Sequence, residues 1–310
     1  MGWILLATAG QFLNAVVAVL DKYIVSDKNL LPRPFVYAFY TCLLTGSWLL
    51  VYVFGLLPLP EVLNVPTYAN VEHPTLIVVA LSFLAAYTMF LALVSMYDAL
   101  KHADASDVMP AIGAVAAIAS FVFNYYFLDG DLSNNFVAGI ILLVLGTAMV
   151  SRARLTRPLI QLILHSGIFF AFHLITMKGL FLETSFDNAF FWSRVSLILF
   201  SLSLLLIPAY LELITGQTSK TSLKAGVLVV VTKVLAGIAG FMLLKATDWG
   251  DVTVVQALDG VKFVFILLLA YLLSPFLPKS ASDHLRGRHT LWQKVVFVGL
   301  ITVGFVILFI

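Results

Sequence analysis

The sequence predicts an all-α polytopic membrane protein of ten transmembrane helices, arranged as two five-helix inverted-topology repeats. Three observations lead there. Of 310 residues, 61% are hydrophobic and 11% charged, with a mean hydropathy of +1.03, whereas soluble domains are about 45–50% apolar and about 25% charged. Apolar runs of about 20 residues, enough for a helix to cross a bilayer, follow one another with short breaks. A motif also recurs at half the chain length: LKHADASDV at 100–108 returns as LKATDWGDV at 244–252, matching at Leu, Lys, Asp, Asp and Val.

The expected spans are roughly 3–25, 36–57, 75–99, 107–127, 134–151, 158–181, 189–214, 223–245, 251–274 and 292–310. The first run, from Trp3, lacks a basic leader and is too long for a cleavable signal. The longest connections, 58–74 and 275–291, contain prolines and are too short for a soluble domain. Lys101 and Lys245 are expected to end a helix, where a cation meets the negative end of its dipole. Asp107 and Asp251 begin the next, where a carboxylate caps free N–H groups. This capping role is preferred to a gating charge pair. Small residues in AIGAVAAIAS (111–120), at Gly139 and Gly146, and in LAGIAGF (235–241) suit close helix packing. The sixth span aligns with the first, AFHLITMKGLF (171–181) against AVVAVLDKYIV (15–25), and sets Lys178 opposite Lys22. The units are therefore 1–155 and 156–310, and an odd number of spans in each inverts the second relative to the first.

Orientation follows from Lys and Arg in short loops. The loops after odd-numbered spans carry Lys28, Arg33, Lys101, Arg152, Arg154, Arg157, Lys220, Lys279, Arg286 and Arg288; the other loops carry only Lys245. This places the odd loops in the cytoplasm and both termini outside a cytoplasmic (plasma) membrane. One cysteine, Cys42, excludes an intramolecular disulfide framework. There is no phosphate-binding loop for direct ATP driving. The net charge of +2 comes from few charges and gives no reason to expect nucleic acid.

Charges inside spans are the functional signal, since each costs about 2.5–3.5 kcal/mol at mid-bilayer. Lys178, Arg194, Lys233, Asp259 and Lys262 lie there, with Asp21 and Lys22 nearer one end. Gln256, Asp259 and Lys262 recur three residues apart and form one helical stripe, expected to line a cavity. If Asp259 pairs with Lys262, then Lys178, Arg194 and Lys233 have no obvious intramembrane acid, because Asp21 lies too near one end to serve all three. A cation-rich cavity favours an anionic group, with Arg194 as a planar fork and the lysines as point charges. In the competing reading, one buried lysine is neutral when empty and carries a proton. Gln11, Asn14, Tyr37, His173 and Trp192 are placed to complete the site. His173 is expected to be a hydrogen-bonded bundle histidine, and no metal set is expected.

The two five-helix halves, the turn YDALKHADASDV (97–108), the small-residue helix after it, and the closing patterns FVAGIILLVLGTAMV (136–150) and VFVGLITVGFVIL (296–308) carry a resemblance. Over essentially its whole length the chain resembles the drug/metabolite transporter superfamily, specifically its ten-helix EamA-like members. The resemblance implies a 5+5 inverted-repeat bundle that moves small molecules or lipid-linked metabolites by alternating access. Many members carry a Leu-Gly-Glu-like turn after the fourth helix of each half. Here LDGDL (128–132) places Gly130 where the Glu falls, and the second copy reads SPFLPKSASD (274–283), so no role resting on that Glu carries over. Members are also expected to keep both termini in the cytoplasm, opposite to the charge count.

The expected function is a secondary transporter of an anionic or zwitterionic metabolite, phosphate-bearing and polyprenyl-linked sugars included. Arg194, Lys233 and Lys262 bind the anion in this reading, and Asp259 orients Lys262 or exchanges a proton. Lys22 and Lys178 act as gates. A broad exporter of amino acids or amphiphilic and cationic compounds, anchored by Asp259, is the alternative within the class. Outside it stand a non-transporting accessory subunit and an intramembrane lipid-phosphate enzyme. The enzyme is disfavoured: the pairs Asp104/Asp107 and Asp248/Asp251 are repeat equivalents on opposite faces, and no nucleophile arrangement accompanies them. Expected partners are membrane lipid, the small-molecule substrate and a coupling proton or counter-substrate, with no cofactor, for a monomer or homodimer.

Overall fold

In a computed structural model of the chain, the described residues are 2–28, 30–55, 66–127, 138–139, 141–143, 145–146, 149, 156–218, 221–249, 258–273 and 288–309. All regular structure among them is helical. The helices are α1 (Gly2–Ser26), α2 (Pro34–Gly46), α3 (Leu76–His102), α4 (Ala105–Phe127), α5 (Arg157–Glu183), α6 (Phe186–Leu204), α7 (Pro208–Thr218), α8 (Leu223–Trp249), α9 (Asp259–Leu273) and α10 (Arg288–Phe309). A 3-10 turn (Ser47–Leu50) and a short helical turn (Val51–Phe54) prolong α2. By length and composition, 6 described helices can cross a membrane, or 7 if the bent pair α6–α7 forms one span. The protein is thus an all-α, multi-pass membrane protein.

Local chemistry sets the helix ends. Arg33 is extended, as the residue before a proline must be, and Pro34 opens α2 where its missing N–H costs nothing. Thr75 caps α3 by accepting from Val78 N at 3.2 Å. Ser185 caps α6 by accepting from Asn188 N at 3.3 Å, with Asp187 in the first turn. The seventh expected span, 189–214, is not one straight helix: α6 and α7 meet at 96°. Pro208 accounts for the break, because its ring and missing N–H cannot continue the preceding turn. The fifth expected span falls largely outside the described residues. Within it Leu143 is fully buried, and Gly146 and Gly304 lie where the segment meets α10.

α3 packs along α5 and α6, α5 along α4, and α1 along α8 and α9. α2 is wedged against α3, α6 and α8, and α9 also meets α4 and α10. Two crossings depend on a missing side chain: a Cβ at Gly113 would overlap the Phe263 ring, and one at Gly237 would overlap the Trp48 indole. Leu5, Leu76, Leu182, Leu206, Leu223 and Tyr126 are largely exposed. Asp21, Lys22, Arg194, Lys233, Lys245 and Lys294, by contrast, are buried. A lipid surround explains both.

Candidate functional site

Lys233, in the eleventh position of α8, is 1% exposed. Its Nζ donates to Asp21 Oδ1 at 2.7 Å and to Tyr97 Oη at 2.9 Å. Tyr37 donates its hydroxyl to the same Asp21 oxygen. Thr41 Oγ1 lies 3.0 Å from Tyr97 Oη and donates to the Tyr37 carbonyl at 2.8 Å, which leaves Tyr97 to donate to Thr41. The Thr41 and Tyr97 hydroxyls thus give and receive, the Tyr37 hydroxyl gives, and the carboxylate collects both Tyr37 and Lys233. The ammonium also sits 4.3 Å from the Tyr37 ring centroid and 5.1 Å from that of Tyr97. The expectation that Lys233 lacks an acid is therefore corrected. Asp21 lies near the end of α1 and Lys233 deeper in α8, and the long lysine stem covers the difference in depth.

Arg194 presents the opposite situation. It sits mid-way along α6, 9% exposed, with its guanidinium 4.7 Å from the Phe190 ring one turn earlier. It makes no hydrogen bond or ion pair with any described residue, and its buried Nε has no partner. Cys42 and Tyr52 from the α2 arm and His173 from α5 lie within its electrostatic reach. Cys42 is also within reach of Lys233. The two cations are therefore linked along α2, whose face from Tyr37 to Gly46 covers about 14 Å. Glycine at 46 admits α6: a Cβ there would stand 2.6 Å from Ile198 Cγ1 and 3.1 Å from the Arg194 carbonyl oxygen. α6 and α8 meet through side chains, with Phe190 and Phe241 at 6.0 Å and Lys245 4.4 Å from the Phe186 ring.

The two ends of α3, separated by about 40 Å of helix, are tied differently. At the C-terminal end, Lys22 donates to the carbonyls of Leu100 (2.6 Å) and Ala103 (2.9 Å). Lys294 of α10 pairs with Asp104 at 2.7 Å and Asp107 at 3.3 Å, and donates to Ser106 at 2.7 Å. Asp107 stands inside the first turn of α4, where a carboxylate suits the helix dipole, while also holding α10. At the N-terminal end, residues 67–72 are sewn onto α6. Asp187 Oδ2 accepts from Asn70 Nδ2 at 2.7 Å and from Thr67 N at 3.3 Å. Asn188 Oδ1 accepts from Glu72 N at 3.1 Å, and Tyr52 donates to the Asp187 carbonyl. Trp192 belongs to this strap, since its indole N–H donates to Glu72 O at 3.1 Å. It belongs to this end of α3 rather than to the Lys233 cluster.

The remaining expected residues divide. His173 Nδ1 lies 3.0 Å from the Ala85 carbonyl, as a bundle histidine should. Lys178 and Asn14 are half-buried and have no hydrogen-bond partner among the described residues. Gln11 is buried in α1. Lys262 is half-buried with its ammonium 5.2 Å from the Phe263 ring, on a helix that packs on α1, α4 and α10. Gln256 and the Asp259 side chain lie outside the described residues, so of the ninth-span stripe only Lys262 is placed. Tyr97, Thr41 and Cys42 were missed by sequence reasoning. Tyr97 belongs to the quoted turn motif, and Tyr37 and Thr41 share a helical face, but nothing local couples them to a lysine in the second half.

No family model matches the sequence, and no curated protein matches it. Solved structures do share its fold. One, described only as "Crystal structure of protein", is similar over 99% of this chain and 98% of its own length, with a TM-score of 0.61 at 14% identity.

Proposed function

We propose that the protein is a secondary transporter that carries a small anionic or zwitterionic molecule across the membrane by alternating access. The observation that carries this reading is Arg194: a buried cation in the middle of a membrane helix, without an acid among the described residues. An intramembrane charge is costly, and a chain that neutralises Lys233 so thoroughly does not lack the means to neutralise another. A ligand anion supplies the missing partner, and a guanidinium fork suits carboxylate or phosphate oxygens.

The ten-span layout in two inverted units, 1–155 and 156–310, belongs to the same proposal. Helix packing supports it. If the halves are exchanged, the α1–α8 pairing maps onto α5–α3, α1–α9 maps onto α5–α4, and α2–α6 maps onto itself. Such an exchange is expected of two equivalent halves, which supports an inverted repeat with its site between them and accords with the resemblance to EamA-like transporters. Lys22 and Lys294 at one mouth and the 67–72 strap at the other are the ties that alternating access exchanges. The charge count orients the Lys22 mouth to the cytoplasm; a C-terminal reporter active outside supports this, and one active only inside overturns it.

A thermal-stability screen of the purified protein against matched anionic, zwitterionic and cationic metabolites tests the substrate reading. Stabilisation grows with ligand concentration over Kd, so weak ligands register at high concentration. Anions should raise Tm in the wild type and not in Arg194→Met. Stabilisation by amines alone would transfer the protein to the cationic-exporter class.

A further inference from the structure

The charge accounting around Arg194 goes one step further, to the charge state of the ligand. We infer that the site accepts a monoanion, such as a carboxylate or phosphodiester group, and discriminates against a phosphate monoester dianion. The inference rests on the transporter reading above, in that it takes Arg194 as the ligand's partner.

Two independent observations support it. Arg194 brings one buried positive charge with no polar partner among the described residues. The cation linked to it along α2, Lys233, is held by Asp21 at 2.7 Å and by the Tyr97 hydroxyl. Asp21 in turn is engaged by Tyr37. The Asp21–Lys233 pair contributes no net charge, and two of the three ammonium donors are already engaged. The titratable groups that interact electrostatically with Arg194 are Cys42 and Tyr52 on the α2 arm and His173 on α5; none is a fixed cation. The single charge of Arg194 therefore balances one negative charge. A second would stay uncompensated in a low-dielectric surround, where an unpaired charge is expensive.

Methyl phosphate and dimethyl phosphate at constant ionic strength provide the test. The diester is a monoanion throughout the range, while a monoester gains its second charge near pH 6. Dissociation constants are read from the concentration dependence of Tm at pH 5.5 and 7.5. Any titration of His173 affects both probes, so the diester corrects for it. Relative to the diester, the methyl phosphate Kd should rise about 20-fold between the two pH values, following loss of its monoanion. Arg194→Met should abolish both shifts. An Arg194-dependent methyl phosphate Kd that is unchanged or tighter at pH 7.5 overturns the monoanion inference and leaves the anion site standing. Shifts absent in the wild type, or undiminished in Arg194→Met, overturn the anion site itself. Asp21→Asn leaves the Lys233 charge uncompensated, so in that variant the methyl phosphate Kd should rise by clearly less than about 20-fold between the two pH values. If that variant fails to fold, the wild-type comparison decides alone.

Discussion

Lys233 and Arg194 are both buried within membrane helices, yet the protein treats them oppositely. Lys233 lies in a closed network in which a carboxylate, two phenols and a threonine satisfy one another. Arg194 has an aromatic ring beneath it and no acid among the described residues. A fold that wanted only stability would have replaced either by an apolar side chain, since buried pairs seldom outperform hydrophobic packing. The contrast separates two uses of a buried charge. One fixes how α1, α2, α3 and α8 meet, and the other, in the proposed reading, keeps a place for a ligand anion.

The largest expected effect breaks the satisfied side. Asp21→Asn leaves an uncompensated lysine in the membrane interior and should cost about 3–5 kcal/mol, read as a lowered Tm in detergent. Arg194→Met should act with the opposite sign. Removing an unpaired charge in favour of an apolar chain should raise stability by about 1–3 kcal/mol, while ligand-induced stabilisation disappears. Equal destabilisation by both substitutions would erase the distinction between the two cations. Tyr37→Phe removes one hydrogen bond to the carboxylate but keeps the ring under the ammonium, and should cost about 2 kcal/mol without changing ligand response. The smallest effect belongs to the mouth: Ser185→Ala removes the α6 cap next to the 67–72 strap and should cost about 1 kcal/mol. A changed ligand affinity in that variant would couple the strap to the site.

Much of the fold was legible because membrane helices are specified by composition and length. The apolar runs, Thr75 and Ser185 caps and Pro34 start are local signals. The bend between α6 and α7 was legible too, in Pro208, but a continuous span of apolar residues masked it. The candidate site was read in part. Arg194, Lys233, Tyr37 and His173 stood out as polar groups at membrane depth, and His173 plays the structural part expected of it. The Asp21–Lys233 pairing could not be read, because partners 212 residues apart are joined by helix packing and not by spacing. For the same reason Lys233 looked like a free anion-binding cation. Trp192 looked like part of the site from its neighbour Arg194, yet adjacent residues on a helix point in different directions, and its indole meets the strap.

The most direct measurement of the central claim is counterflow in liposomes holding the purified protein. The vesicles are preloaded with unlabelled ligand, the anion giving the largest thermal shift, and diluted into its labelled form. Wild-type protein should accumulate label transiently above equilibrium, and Arg194→Met, though folded and at least as stable, should give only the leak of empty vesicles. Accumulation by Arg194→Met at the wild-type rate would contradict the account, and the unpartnered arginine would then be no part of the transport site.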